Sequence, residues 1–397
     1  MQGSAPTSAL QSRHYKRSCI LLVTCISLIS FFPLNVLLPA FPALAEQFNT
    51  STVDIALAIS LFTLVFAFSQ LVAGPLSDRF GRKEVLLGCL AISFVGALGC
   101  TLATDFTAFL FFRGVQALGC GFFVLGLALV EDLFDKEERA PVRIYYMSFS
   151  GLFVALSPLL GSWLLESFGW RSSFHAFALI AAAIFLLALG VLTSRPKAQP
   201  REQEPIMNSI QAILGHADFR RYWQIAALVF SAYFALISVS PLIFMDQLKL
   251  SEYQYAIVLL VYGAAYLSGG FLAVWLQRRL GVRAQIDTGL VLLGCSGLVL
   301  LLIMQLQAVS TATLLIPMCL SAVAVTVTRP AAISAAMLLF STNAGTAAST
   351  GNTLMFLAAA ATSAALAMAG PHLLPAIATG LVVFSVAGLL SSARVSR

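Results

Sequence analysis

The feature that most limits what this chain can become is the return, from end to end, of unbroken apolar segments. Each is about twenty residues long, a length that at ~1.5 Å per residue crosses a hydrocarbon core of ~30 Å. Twelve occur, at about 19–44, 55–77, 84–103, 107–131, 145–168, 173–193, 222–245, 254–276, 285–306, 311–340, 344–369 and 373–392. The 397 residues are 59% hydrophobic and only 10% charged, which excludes a soluble multidomain protein. An all-α membrane protein is expected. The first segment runs too long for a cleaved leader and carries Pro39 and Pro42 in place of a small-residue cleavage site, so it reads as helix 1.

The basic residues set the orientation. Nineteen of the 23 Lys and Arg residues fall on one side of the predicted spans, in the tails and in the connections around Arg82, Arg139, Arg201 and Arg279. The other side has Arg171 and Lys249, and Arg113 and Arg329 lie inside predicted helices. Positive loops resist translocation, so both termini are expected in the cytoplasm of a bacterial inner membrane. This spread also explains the +6 net charge without any nucleic acid. The seven cysteines and four histidines show no metal-ligand spacing, and neither a metal nor a cofactor is expected. Scattered histidines likewise argue against a membrane-embedded enzyme, and the short loops leave no soluble domain for a receptor.

The longest polar stretch, with Pro196, Pro200 and Pro205, divides the chain into equal sets of helices. The expected organisation is a tail over 1–18, a six-helix half over 19–193, a central loop over 194–221, a second half over 222–392 and a tail over 393–397. An internal echo supports a repeat: Asp78-Arg79-Phe80-Gly81-Arg82-Lys83 resembles Arg278-Arg279-Leu280-Gly281-Val282-Arg283, which lacks the acid. Parallel repeats of this kind place a substrate site near the midplane between the halves.

The strongest local signal is Gly74-Pro75-Leu76-Ser77-Asp78-Arg79-Phe80-Gly81-Arg82-Lys83. Gly74 and Pro75 are expected to end helix 2, Gly81 permits a tight turn, and Asp78 and Arg82 stand four residues apart. The stretch closely resembles the loop signature of the major facilitator superfamily. Arg113-Gly114-Val115-Gln116-Ala117-Leu118-Gly119 resembles its intramembrane arginine motif, and Ser157-Pro158-Leu159-Leu160-Gly161 resembles the helix-5 segment of its antiporters, with serines where that motif has glycines. Leu34-Asn35-Val36-Leu37-Leu38-Pro39 and Ala344-Gly345-Thr346 are similar to the bicyclomycin and chloramphenicol resistance branch of the drug:proton antiporters. That resemblance implies twelve helices in two pseudo-symmetric six-helix halves, a monomer, small-molecule cargo and protons as the coupling ion. It also implies a latch in which Asp132 joins Asp78 and Arg82. Where the branch has a helix-1 aspartate this chain has Asn35, which keeps an importer or facilitator open beside an exporter.

None of the 17 acidic residues lies near a predicted helix midpoint, whereas Arg113 and Arg329 are intramembrane cations. Each costs at least about 2.5–3.5 kcal/mol unless it faces a partner or cavity. The expected cargo therefore carries a carboxylate or other anionic group, as a siderophore or secreted metabolite does, held by Arg113 and Arg329 with Asn35 and Gln116 as neutral partners. Neutral drugs of the chloramphenicol type remain compatible. Tyr255, Tyr262 and Tyr266 recur at i, i+7 and i+11 on helix 8; the first reads as an interface anchor and the deeper two as cavity lining. Glu131, adjacent to Asp132, is the first candidate proton carrier, because one carboxylate raises the pKa of its neighbour. Gly114, Gly119, Gly121 and Gly126 mark helix 4 for close packing.

Overall fold

A computed structural model of the chain describes residues 5–29, 32–192, 206–340 and 344–395; within these, several side chains, Asp78 and Glu131 among them, lie outside the described set. Among the described residues nine helices are long and apolar enough to cross a membrane. In chain order we label α1 (Ala5–Ile29), α2 (Thr52–Phe80), α3 (Arg82–Leu102), α4 (Phe106–Gly119 continued by Phe123–Leu133), α5 (Lys136–Phe168) and α6 (Arg171–Val191). Next comes α7 (Ala217–Pro241). Glu252–Gln305 is continuous by hydrogen bonding, but its 54 residues would reach about 80 Å if straight. At Gly281 φ is 82° and ψ 173°, so it folds back as α8 (252–280) and α9 (282–305). Then follow α10 (Thr311–Leu338), α11 (Ala344–Ala367) and α12 (Leu373–Ala393). These are the twelve helices of an all-α membrane protein, six in each pseudo-symmetric half.

The repeat is visible in its turns. Gly81 joins α2 to α3 at φ 104°, and Gly281 joins α8 to α9 at φ 82°. A Cβ is disfavoured in that region of backbone space, which is why glycine recurs at the same place in both halves. Contrary to expectation, α2 does not stop at Gly74 and Pro75: it continues to Phe80, and Gly81 ends it. Proline removes one intrahelical hydrogen bond but did not outweigh the capped start of α2 at Ser51 and its packing.

Three further expectations are corrected. Helix 1 is not continuous; after Phe32–Asn35 it gives way to the 3₁₀ turn Leu38–Ala40 and then to Phe41–Gln47, where Pro39 and Pro42 interrupt the ladder. Helix 4 is broken by the 3₁₀ turn Cys120–Phe122. The central connection contains a helix, Ile206–Gly215, whose Ile213 is buried in the core.

Small residues bring helices close. A Cβ on Gly119 would fall 2.2 Å from the Ser93 nitrogen, one on Gly121 would lie within 2.9 Å of the Ser69 backbone, and Gly126 abuts Tyr146. A Cβ on Gly114, by contrast, would meet nothing within 4 Å among the described residues. The outer surface is apolar: Phe271 is 81% exposed and Leu179 73%, the pattern of side chains solvated by lipid rather than water. Cys295 belongs to this outer surface, unlike the packed Cys19, Cys100 and Cys120.

The halves meet along α2 and α11. Ser60 and Ser363 hydroxyls are 3.0 Å apart, the Thr353 hydroxyl donates to the Ala67 carbonyl at 3.3 Å, and Phe66 meets Phe356 edge-on at 5.1 Å. On the face opposite the Gly81 and Gly281 turns, Ser162 of α5 donates to the Glu252 carbonyl at 3.2 Å and Thr52 donates to Asp246. Below, the turn side is called the basic face and the other the far face.

Candidate functional site

Arg113 stands on the first segment of α4, which Asp105 caps by accepting the Ala108 N–H at 2.9 Å. Arg113 is 1% exposed. It donates to the Gln116 side-chain oxygen at 2.7 Å and to the Pro33 carbonyl at 3.2 Å, and lies over Phe62 at 4.1 Å with Phe174 at 5.8 Å. The break in helix 1 exposes backbone polar groups at membrane depth, and Arg113 satisfies one of them. Asn35 is buried on the same broken stretch. The crevice here, lined by Phe32, Val36, Ser173 and Phe177, is too tight for a water.

Arg329, on α10, is differently placed. It is partly exposed, its Nη2 lies 3.5 Å from the Tyr266 hydroxyl, and its guanidinium faces the Phe230 ring at 5.1 Å. Tyr266 packs on Tyr233 at 5.2 Å, and Tyr233 stacks on Tyr262 at 5.3 Å. Phe230 and Tyr233 of α7 were missed in the sequence; their i, i+3 spacing was the available signal. Tyr255 is not an interface anchor: it is fully buried, its hydroxyl 2.6 Å from that of Ser240. Among the described residues no carboxylate pairs with Arg113 or Arg329.

Among the described residues the two guanidinia share no contact partner. Between them runs a file of rings: Arg113 on Phe62, Phe62 on Phe66 at 6.2 Å, Phe66 on Phe356 at 5.1 Å, Phe356 on Phe230 at 5.0 Å, and Phe230 under Arg329. The file crosses the seam between the halves.

At the basic face Arg82 pairs with Asp132 at 3.3 Å and also donates to Ser77. Lys83 donates to the Leu192 and Leu189 carbonyls at the end of α6, at 2.6 and 3.1 Å. The side chains of Asp78 and Glu131 lie outside those described. Gly74 faces Ser349 of α11 at 4.0 Å from its would-be Cβ. On α5, Pro158 is buried and a Cβ on Gly161 would collide with the Val36 carbonyl at 2.1 Å, so this segment seats the break in helix 1.

The sequence profile of the Major Facilitator Superfamily matches residues 23–363. The chain belongs to this superfamily. Among curated proteins, the multidrug resistance protein MdtL of Escherichia coli is 27% identical over 274 residues, 67% of this chain and 70% of that one. MdtL of Shigella boydii is 26% identical over 273 residues, with the same coverage. Among solved structures the fold is similar to the E. coli xylose transporter XylE in a partially occluded inward open conformation. The TM-score is 0.73 at 15% identity, with 96% of this chain and 97% of that one covered. A bacterial homolog of the human lysosomal transporter Spinster gives a TM-score of 0.64 at 16% identity, covering 98% and 96%.

A major facilitator protein is a multi-pass membrane transporter of small molecules and not an enzyme. In such a transporter the seam between halves is the working surface, and here it is filled by the ring file with a guanidinium at each end. Arg113 is packed and hydrogen-bonded within it. A guanidinium has five N–H donors, and among the described residues Arg329 uses them in a single long contact.

Proposed function

We propose that this transporter is a proton-driven exporter of small organic molecules that bear a carboxylate or other anionic group. It works as a monomer in the bacterial inner membrane, with the basic face and both termini in the cytoplasm. The observation that carries the reading is Arg329, an intramembrane guanidinium beside aromatic rings with no carboxylate partner among the described residues. A guanidinium in low dielectric gains most from a bidentate carboxylate, which the cargo supplies. The surrounding Phe230, Tyr233 and Tyr266 rings grip its apolar part. Orientation rests on the excess of Lys and Arg on the basic face.

Alternating access follows from two sets of helices that exchange contacts. The Arg82–Asp132 pair, with Asp78 close in sequence, serves as a latch that holds one arrangement. Glu131, next to Asp132, carries the proton. Asp78→Asn is expected to abolish transport at near-normal membrane abundance, and Glu131→Gln to uncouple export from the gradient.

The test is accumulation of an anionic metabolite and of a cationic dye in inverted vesicles, with and without an uncoupler, for wild type and Arg329→Ala. Uncoupler-sensitive uptake of the anion, lost in Arg329→Ala, supports the proposal. Robust dye uptake unaffected by the substitution would favour a second reading, a multidrug or chloramphenicol-type pump, to which the similarity to MdtL lends weight. Flux only in the opposite direction would make the protein an importer.

A further inference from the structure

Below the ring file, toward the basic face, the seam changes character. Gln70 of α2, Trp223 of α7 and Thr350 of α11 are 0%, 3% and 4% exposed, and among the described residues both amide atoms of Gln70, the Trp223 Nε1 and the Thr350 Oγ1 have no hydrogen-bond partner. Buried polar atoms are rarely left unpaired, since each forfeits the hydrogen bonds it had in water. Here four fall at one junction.

Their convergence follows from register. α2 and α11 run antiparallel, with Ala67 against Thr353 at 3.3 Å and Gly74 against Ser349 at 4.0 Å, and Gln70 lies between those two contacts. Gly351 faces the other way, onto Trp223, whose Cε2 would stand 2.0 Å from a Cβ there. The indole nitrogen, bonded to that carbon, therefore lies against α11 beside residue 351. Thr350, one step of about 100° from each of Ser349 and Gly351, points between α2 and α7. By this register the three side chains stand at one level of the seam, one to two helical turns below Phe66, Phe230 and Phe356.

We propose that Gln70, Trp223 and Thr350 form a second cargo subsite, distinct from the Arg329 end, that takes an uncharged secondary amide. The chemistry matches atom for atom. The Trp223 N–H and the Gln70 amide N–H donate to a ligand carbonyl, while the Gln70 oxygen or the Thr350 hydroxyl accepts the ligand N–H. Separation of α2 from α11 at the basic face opens this level of the seam to cargo on its way to the ring file. The competing account is that trapped water alone fills these bonds.

Two probes differ only in this group: hippurate has a ring, an amide and a carboxylate, and 4-phenylbutyrate replaces the amide by methylenes of the same length. Equilibrium binding to the purified full-length protein is measured for both. Wild type is expected to prefer hippurate, and Gln70→Leu to weaken hippurate roughly tenfold while leaving 4-phenylbutyrate within about twofold. Thr350→Val, a closer match in shape, is expected to shift hippurate in the same direction, which keeps the test alive if Gln70→Leu folds poorly. Equal binding of the two probes to wild type, no binding of either, or a hippurate preference that survives both variants overturns the subsite and leaves water. Arg329→Ala separates the readings: if it weakens both probes while no amide preference exists, the anionic-cargo reading stands without the subsite. If it changes neither while Gln70→Leu abolishes the preference, the subsite stands without that reading.

Discussion

Arg113 and Arg329 are the same side chain in the same membrane, yet their surroundings ask different things of them. Arg113 is 1% exposed, gives one hydrogen bond to Gln116 and one to the Pro33 carbonyl, and sits between Phe62 and Phe174. Arg329 is partly exposed and among the described residues has one long contact and one ring. Under the proposed function, the cation that already holds its partners serves the fold, and the one with donors to spare among the described residues serves the cargo. The difference teaches that two arginines alike in sequence are told apart by their satisfied donors, not by their presence in a helix.

Removing Arg113 is expected to have the largest effect. Arg113→Ala strands the Pro33 carbonyl and the Gln116 oxygen and empties the space over Phe62, with an expected loss of about 2–4 kcal/mol. Membrane abundance and thermal unfolding in detergent are expected to fall together, with transport lost as a consequence. A variant as abundant and heat-stable as wild type, but inactive, would move Arg113 from the wall into the cargo site. Arg329→Ala is expected to do the converse: stability within about 1 kcal/mol of wild type, since only a half-solvated contact is lost, and export of an anionic cargo reduced roughly tenfold or more. Arg329→Lys keeps the charge but not the fork, and is expected to fall between the two in transport rate.

Arg82 sharpens the contrast from outside the membrane. Its pair with Asp132 is about one third exposed on each side, and such pairs contribute about 0–1 kcal/mol. Arg82→Ala is therefore expected to leave the unfolding temperature nearly unchanged, while the transport rate falls several-fold and the ratio of access states shifts, as read by cysteine accessibility from the two faces. A large fall in unfolding temperature would make the pair structural and remove the latch.

How much of this was legible in advance depended on the range of the interaction. The twelve spans follow from apolar length, and the Gly81 and Gly281 turns from a ten-residue stretch and its echo, because both are local. Gln116 is three residues from Arg113 on one helix face, so that contact was readable. The Pro33 carbonyl was not, since it becomes available only where helix 1 breaks and α4 packs beside it. Pro75 looked like a helix end because local propensity says so, and tertiary packing of α2 carried the helix past it. Tyr255 looked like an interface anchor from its place near the helix end, whereas Ser240, invisible as a partner until α7 lies against α8, draws it inward. The helix Ile206–Gly215 was hidden by polar and proline-rich neighbours.

The finest test of the comparison is Tyr266→Phe, which deletes one oxygen and keeps the ring. That oxygen is 3.5 Å from Arg329, at the limit of a hydrogen bond, while the ring remains packed at 5.2 Å on Tyr233. If the guanidinium is idle and the rings do the gripping, stability is expected to change by less than about 0.5 kcal/mol. Cargo affinity, read by equilibrium binding of the same anionic probe used for Arg329→Ala, is expected to stay within about twofold, because a cargo carboxylate replaces a weak neutral partner by a stronger charged one. A tenfold loss would mean that the hydroxyl holds the guanidinium in its binding orientation. Arg329 would then resemble Arg113 more than its exposure suggests: a side chain useful only while a neighbour positions it. Combining Tyr266→Phe with Arg329→Ala decides between these, since independent roles give additive losses and a positioned pair gives no further loss beyond Arg329→Ala alone.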